Sequence, residues 1–197
     1  VSNPKGQDNV ETAPKLIEYC IRNKHWSIFD MCDMCVEINT TRTIGRQLLR
    51  HQSFKFQEFS QRYANPTQLG FAEPKRARLQ DKKNRQNSIE IEEGSSDYHL
   101  VQTWNNVQKY VTDVAKQQYE FAISQGIAKE MARDILPEGL INTRMYMKGS
   151  VRSWLHFCDL RMGHGTQLEA KEVAIECFDI LSECYPMTVE AWNNVWH

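Results

Sequence analysis

The chain has 197 residues, of which 41% are hydrophobic and 25% charged, and its formal net charge is −1. This length suits one substantial hydrophobic core better than two, so we predict a single domain over residues 1–197. No apolar run approaches the roughly 20 residues of a membrane span, no signal-peptide core opens the chain, and six cysteines do not suggest a secreted disulfide scaffold, so a cytoplasmic location is predicted.

The first elements are a helix, a strand and a second helix. Residues 13–24 are predicted to form a short amphipathic helix, because four apolar residues share one face: Leu16, Ile17, Cys20 and Ile21. Residues 31–39 alternate apolar and polar side chains, which is the period of a strand. Thr40 or Thr41 is placed to cap a following helix that runs to about Arg50. One strand is not stable alone, so its partners are expected from residues 55–90 or from a segment before the first residue.

The remainder is predicted to be mostly helical. Residues 65–88 read as an extended excursion, and residues 89–98 as a mobile acidic loop. Helices are predicted over 103–124, 128–135, 150–161 and from 166 to the residue before Pro186. Gly126 is expected to end the long helix. Its apolar stripe is predicted to be core: Trp104, Val107, Val111, Val114, Ala115, Phe121 and Ala122. The last helix has a second core stripe: Ala174, Cys177, Phe178 and Leu181.

Positive charge is concentrated in one segment. Residues 42–85 contain eleven Lys and Arg against three Asp and Glu, a balance of +8, so the rest of the chain carries −9. Such a segment in an otherwise acidic protein indicates an anionic ligand or a nucleic acid. A solvated basic face is the alternative, although these arginines alternate with apolar residues that are expected to be buried.

Residues 50–63, with the sequence RHQSFKFQEFSQRY, are the most informative segment. Arginine binds phosphate or carboxylate bidentately, and backbone N–H groups around a serine bind the same anions. The order Arg-His, Glu, Ser, Arg-Tyr closely resembles the signature of the flavin-dependent thymidylate synthases. Four further stretches follow the family order: His25 to Phe29, Ala132-Arg133 to Pro137, Ser150-Val151-Arg152 with His156, and Leu160-Arg161 with Thr166-Gln167-x-Glu169.

The resemblance implies a fold and an activity. Members of this family make dTMP from dUMP with FAD, NADPH and 5,10-methylenetetrahydrofolate, without the cysteine nucleophile that other thymidylate synthases use. The implied fold is α+β, mainly helical with a small antiparallel sheet, and the implied assembly is a homotetramer with active sites built between subunits. Val1 to Pro4 resemble the end of a stretch that follows an N-terminal strand in the family, so that strand is expected to be missing from this chain.

The resemblance also implies residue roles. The catalytic residue is Arg161, a permanent cation that would stabilise negative charge as it develops on the pyrimidine; an arginine near a helix C-terminus could instead only satisfy carbonyls. The residues implied for dUMP are Gln47, Arg50, Glu58, Phe59, Ser60, Gln61, Arg62, Arg133 and Arg161. The residues implied for FAD are His25, Ser27, Arg50, His51, Gln52, Glu58, Ser150, Arg152 and His156. No metal site is predicted.

The chain departs from the family pattern at several positions. Gln52 stands where an arginine is usual, and Lys55 is a candidate to compensate for the lost charge. Many members carry a histidine where Gly165 stands, and no flavin role is transferred to the neighbouring His164. Ser60 is interpreted as a hydrogen-bond donor to phosphate and not as a nucleophile, because no acid is evident to orient a base such as His51. The pair Cys32 and Cys35 is interpreted as structural, since side chains three positions apart in a strand point to opposite faces, which suits neither a zinc site nor a redox pair.

A helical nucleic-acid-binding module that uses the basic segment 42–86 is the alternative function. It predicts affinity for DNA or RNA that weakens with salt, and no bound chromophore. A sequence pI near 6.7 lies well below the range of such domains. The expected partners are therefore small molecules, with neither nucleic acid nor membrane among them.

Overall fold

A computed structural model describes residues 11–196. The helices are α1 (Ala13–Arg22), α2 (Arg42–Leu48), α3 (His99–Ser124), α4 (Lys129–Ala132), α5 (Val151–Met162), α6 (Leu168–Cys184) and α7 (Pro186–Trp196). The strands are β1 (Asp33–Thr41), β2 (Lys55–Glu58), β3 (Arg78–Gln80), β4 (Ser88–Glu90) and β5 (Asn142–Ser150). Short 3-10 segments lie at Trp26–Asp30, Pro66–Leu69 and Arg133–Ile135. The prediction of a mainly helical α+β fold with small antiparallel sheets is confirmed.

The main sheet has three strands in the order β1-β5-β2, all antiparallel. Its central strand β5 was not predicted, although its side chains alternate strictly: Thr143, Met145 and Met147 are buried, whereas Arg144, Tyr146 and Lys148 point outward. The partner of β1 was expected from residues 55–90 or from a segment before the first residue, but β1 pairs with β5 instead. Residues 55–58 do form a strand of the same sheet, β2, which also pairs with β5. A second sheet, β3-β4, is a separate hairpin, so residues 65–90 are not simply extended.

The core lies between the main sheet and four helices. One face of β1 and β5 is covered by α5 and α6, and α1 packs against α7. Trp154 of α5 is fully buried, and its indole Nε1 donates to the carbonyl of Met34 at 3.0 Å. Pro186 was predicted to stop the last helix; it also begins α7, because proline is well suited to the first position of a helix.

The predicted core stripe of α3 is wrong for the single chain. Ala115 is buried, and Gln108 and Tyr119 are buried beside it, but the large apolar side chains of the stripe are not covered. Those with exposed fractions of 39% or more are Trp104, Val107, Val111, Val114 and Phe121. Periodicity correctly indicated a face to be covered, and no element within residues 11–196 covers it.

Several local features differ from the sequence-based expectation. Residues 55–58 of the signature segment form β2. Helix α2 ends at Leu48, before the predicted end near Arg50. Ile91, within the predicted mobile loop, is almost fully buried, and Leu16 of α1 is half exposed. The end of α3 before Gly126, which has φ of 80°, is as predicted.

Other expectations fall outside what the structure tests. The expected absence of an N-terminal strand concerns the segment around Val1 to Pro4, which lies outside the described residues. No helix between residues 11 and 196 combines the length and apolarity that crossing a membrane requires.

Candidate active site

Arg161 contacts the signature directly. It lies in the last turn of α5, and its Nε donates a hydrogen bond to Nε2 of His51 at 2.8 Å. The His51 ring packs edge-on against Phe157, with centroids 4.9 Å apart. Burial, followed by the charges of Arg161 and Arg50, lowers the pKa of His51. His51 is therefore a neutral acceptor, and Arg161 is oriented by a side chain rather than by helix carbonyls.

Glu58 is anchored at the edge of the main sheet. Its Oε1 accepts from Thr143 Oγ1 at 2.8 Å and lies 3.3 Å from a guanidinium nitrogen of Arg42. Phe59 continues beside the sheet, with its N–H bonded to the carbonyl of Arg144. Glu58 thus neutralises an arginine that lies on α2, outside the signature.

Arg62 and Arg133, both predicted to bind the nucleotide, meet at Glu130. Arg62 Nε lies 3.4 Å from the Glu130 carboxylate, while Arg133 Nε donates to the Glu130 carbonyl at 3.2 Å. Arg62 also stacks on Tyr63, 5.5 Å from the ring centroid. Ser60 begins the turn that contains Arg62, and its carbonyl accepts from the N–H groups of residues 63 and 64.

A cavity of about 430 Å³ is lined by Arg133 and by Gln61, the neighbour of Arg62 in the chain. Its lining combines cations, carboxylates and a buried amide: Arg42, Arg46, Gln61, Arg133, Asp134, Leu136 and Glu138. Arg46 and Glu138 form an ion pair across it. The cavity is polar and carries three arginines, so it is suited to an anionic ligand of nucleotide size.

Gln47 reaches the C-terminal motif through a chain of polar contacts. Its Nε2 donates to Gln167 at 2.8 Å, Gln167 donates to Glu169 at 2.8 Å, and Arg78 pairs with Glu169 at 2.7 Å. Burial would raise the pKa of Glu169, but hydrogen bonds from its own N–H, Gln167 and Arg78 outweigh burial and lower it. This ionised carboxylate joins α2, α6 and the β3-β4 hairpin.

The residues predicted to bind flavin cluster partly around Asp30. Ser150 caps α5 and donates to Asp30 at 2.9 Å, and Arg152 pairs with the other Asp30 oxygen at 3.1 Å. His156, one turn further along α5, packs edge-on against Trp26, with centroids 5.0 Å apart. Its pKa is lowered by burial and then by Arg152.

The remaining predicted site residues lie on the surface. His25 and Ser27 are exposed at the start of the 3-10 segment, with the His25 ring 5.8 Å from that of Tyr19. Arg50 and Gln52 are exposed, and their side chains make no hydrogen bond or ion pair within residues 11–196. These groups are available for a ligand.

Sequence reasoning missed most of the acidic residues that hold the arginines. Asp30 and Glu130 belonged to no motif, Glu169 was noted only as the end of a family stretch, and Arg42 and Arg78 were counted only as basic charge. Four arginines of the basic segment pair with acids: Arg42, Arg46, Arg62 and Arg78. That pairing counts against a free basic strip for nucleic acid.

The cysteines lie in two environments. Cys20, Cys158 and Cys177 are buried, whereas Cys32, Cys35 and Cys184 are exposed. Burial raises the pKa of Cys177 to about 12 and also raises that of Cys158. Within the described part of the chain, no three His, Cys, Asp or Glu side chains are grouped to hold a metal ion.

Comparisons with known proteins point in one direction. The family model described as "Thymidylate synthase complementing protein" matches residues 1–187. A flavin-dependent thymidylate synthase of Synechocystis sp. is 46% identical over 191 residues, which cover 97% of this chain and 84% of that protein. A probable flavin-dependent thymidylate synthase of Paramecium bursaria Chlorella virus 1 is 43% identical over 196 residues, which cover 99% of this chain and 87% of that protein.

A solved structure shares the fold. The UMP/dUMP methylase PolB from Streptomyces cacaoi, crystallised with 5-Br UMP, superposes with a TM-score of 0.83. It is 25% identical, and the match covers 97% of this chain and 86% of that one.

Proposed function

The chain belongs to the flavin-dependent thymidylate synthase family, and from this premise we propose that it converts dUMP to dTMP with FAD, NADPH and 5,10-methylenetetrahydrofolate. The observation that carries the proposal is the contact between Arg161 and His51, because it joins the cation expected at the pyrimidine to the signature segment. The two residues are 110 positions apart, and the fold brings them to 2.8 Å.

The proposed dUMP site places Arg161 at the pyrimidine and Arg62, Arg133 and Ser60 at the phosphate. Arg161 keeps its proton throughout and stabilises negative charge on the ring as carbon 5 becomes nucleophilic. The meeting of Arg62 and Arg133 at Glu130 supports a shared phosphate site. The further contacts proposed for dUMP are Gln47, Arg50, Glu58, Phe59 and Gln61.

The residues proposed for FAD have suitable chemistry. When bound, reduced flavin supplies the hydride and handles the one-carbon unit. Arg50 and Arg152 are cations for a pyrophosphate, and Arg50 and Gln52 have no partner within residues 11–196. His51 is held neutral and Ser150 is oriented by Asp30, so both present defined polar atoms. Further contacts are proposed for His25, Ser27, Glu58 and His156.

Activation of dUMP without an enzymic cysteine is also proposed. A nucleophilic cysteine needs a thiolate, which forms in an electropositive and partly exposed place. Cys158 and Cys177 are buried with raised pKa values and are poor candidates. Cys35 lies on β1, on the outward side of the sheet, where its register partner is Lys148.

A homotetramer with shared active sites is proposed for the assembly. The exposed apolar face of α3 supports this, because a solvent-exposed row of Trp104, Val107 and Val111 with Phe121 is typical of an interaction surface. A second copy would cover the face that no element within residues 11–196 covers.

The first test is an absorbance titration of purified protein with FAD and then with dUMP. Oxidised flavins absorb at about 450 nm, and the proposed function predicts that this band appears with FAD and shifts on adding dUMP. Arg161→Ala should retain flavin but form dTMP about 10²- to 10³-fold more slowly, as for loss of one charge-stabilising donor. Arg161→Lys is the matched variant and should retain more activity.

Two outcomes would contradict the proposal. Normal dUMP turnover by Arg161→Ala would remove the role of Arg161. Failure of the wild-type protein to bind flavin, together with salt-sensitive binding to DNA or RNA, would favour the nucleic-acid-binding alternative.

A further inference from the structure

A second pocket lies outside the proposed dUMP site, where the end of α1 meets α5 and α7. It has a volume of about 410 Å³. Its lining consists of Lys24, Trp26, His156, Asp159, Trp192 and Trp196. Four of these six are aromatic, and the other two are oppositely charged. An apolar cavity with a few convergent polar groups is typical of a small-molecule site.

The aromatic rings form a continuous wall. The ring centroid of Trp26 is 6.0 Å from that of Trp192, and Trp192 is 6.2 Å from Trp196. His156 closes the wall, 6.0 Å from Trp192. Trp192 is buried at the base, whereas Trp196 is 47% exposed at the mouth. Aromatic rings stack on flat ligand rings, and the exposed Trp196 is the tryptophan of this wall that offers its face to a ligand.

Lys24 occupies a backbone position that favours glycine. It follows the C-cap of α1, its N–H bonds to the carbonyl of Ile21, and the next N–H, of His25, bonds to that of Cys20. This is the Schellman arrangement, whose left-handed residue is usually glycine. With φ of 59°, Lys24 is the one non-glycine residue of positive φ within residues 11–196. A lysine at a strained position in a pocket suggests a role for its ammonium.

The polar groups of the pocket are unpaired. Neither Lys24 nor Asp159 makes an ion pair within residues 11–196. The pocket thus presents a cation, a carboxylate and aromatic faces together. A carboxylate accepts from the N–H edge of a heteroaromatic ring, and an ammonium binds a carboxylate or phosphate.

We propose that this pocket binds a flat nitrogen-containing aromatic ring that carries an anionic arm. The ring lies against the tryptophans, its N–H edge faces Asp159, and its anionic arm reaches Lys24. The naming of the occupant rests on the proposed function, which supplies two sources of this chemistry: the pterin and carboxylates of the folate, or the adenine and phosphates of NADPH.

The test uses the fluorescence of the flavin-free protein. Three of its five tryptophans line the pocket, so an occupant should quench a large part of the emission. The two probes are 5-formyltetrahydrofolate for the folate and 2′,5′-ADP for the NADPH nucleotide. One of them should quench saturably. The pocket shares His156 with the residues proposed for FAD, so the titration is repeated with FAD present, and the quenching should persist.

The matched variants change the exposed tryptophan, Trp196, and the cation, Lys24. Trp196→Ala should weaken probe binding about tenfold, since loss of one stacking face is worth that order, while Trp196→Phe should restore most of it. Lys24→Asn removes the ammonium but tolerates the left-handed backbone, so it should weaken binding and reduce its salt dependence. Lys24→Arg is its charge-retaining control.

The outcomes separate the proposal from the function on which it rests. No quenching by either probe, or equal affinity in Trp196→Ala and wild type, would overturn the pocket assignment. Displacement by FAD would also overturn it, because the pocket would then belong to the flavin. If the wild type forms dTMP in these cases, the proposed function stands without the pocket. Probe binding without any dTMP formation would leave the pocket and refute the function.

Discussion

Gly149 leaves space for an aromatic ring that supports the proposed active site. A Cβ built at this position would lie 2.5 and 2.6 Å from two ring carbons of Phe54. Phe54 is buried and packs against Trp154 and Phe157, with centroids 4.8 and 5.8 Å apart. Its ring is not a flexible side-chain end, so Gly149→Ala must shift either the ring or the strand. Overpacking of this kind costs about 2 kcal/mol.

The consequence is a lower melting temperature and a disturbed site. For a chain of this length, about 2 kcal/mol corresponds to a fall in Tm of about 4 to 8 °C. The Phe54 ring also packs edge-on against His51 at 6.4 Å, and His51 accepts from Arg161. Gly149→Ala should therefore also weaken the binding of flavin and dUMP.

Thermal unfolding followed by circular dichroism, at one fixed protein concentration, measures the effect. Gly139→Ala is the matched control, because its Cβ would meet only Thr43 Oγ1, at an ordinary 3.6 Å. The double variant Gly149→Ala with Phe54→Leu should show a favourable coupling, since the smaller side chain relieves the clash. If Gly149→Ala melted at the same temperature as Gly139→Ala, the packing argument would be refuted.

Three further predictions concern pH, assembly and backbone strain. In the folded protein the pKa of His51 lies below its ordinary value of 6.5, so the neutral ring stabilises the fold above pH 6.5, and this stabilisation is lost as the pH falls below that value. In urea unfolding, the free energy of unfolding of Arg161→Ala should fall less steeply with falling pH, because the variant removes one cause of the lowered pKa. Val111→Glu should dissociate the oligomer in light scattering, whereas Lys109→Glu, on the opposite side of α3, should not; an unchanged mass for Val111→Glu would count against that interface. Lys24→Gly should stabilise the fold by about 1 kcal/mol in the same urea assay, because glycine removes the left-handed strain; no gain would mean that the position is unstrained.

Local periodicity predicted most helices but could not say what covers them. Helix α5 was predicted within one residue, because Ser150 caps it and Gly163 follows it. The α3 stripe was assigned to the core because an apolar pattern shows that a face is to be covered, not whether by the same chain. Strand β5 was missed although its period of two was present, since two methionines and a tyrosine are less distinctive than a β-branched run.

The family resemblance predicted which residues form the candidate site, but the sequence could not predict how those residues are positioned relative to one another. Asp30 binds Ser150 and Arg152 across about 120 residues of chain, and Glu130 holds Arg62 across 68. Such pairs depend on the tertiary fold and have no local signal. An acid with no motif could have been suspected only as a counter-charge to the arginines of the signature.

The acidic partners also explain how arginines can be positioned and yet remain available. Arg62 and Glu130 are 56% and 54% exposed, and an ion pair in that environment is worth only about 0 to 1 kcal/mol. A nucleotide phosphate forms stronger, bidentate contacts with arginine. It would therefore displace the carboxylate at little cost, while Glu130 keeps Arg62 and Arg133 close together before the ligand arrives. Arg78 and Glu169 are only 17% and 16% exposed and linked to Gln167, so that pair is better suited to a fixed structural role. Burial thus separates the arginine that is available for a ligand from the arginine that holds the framework.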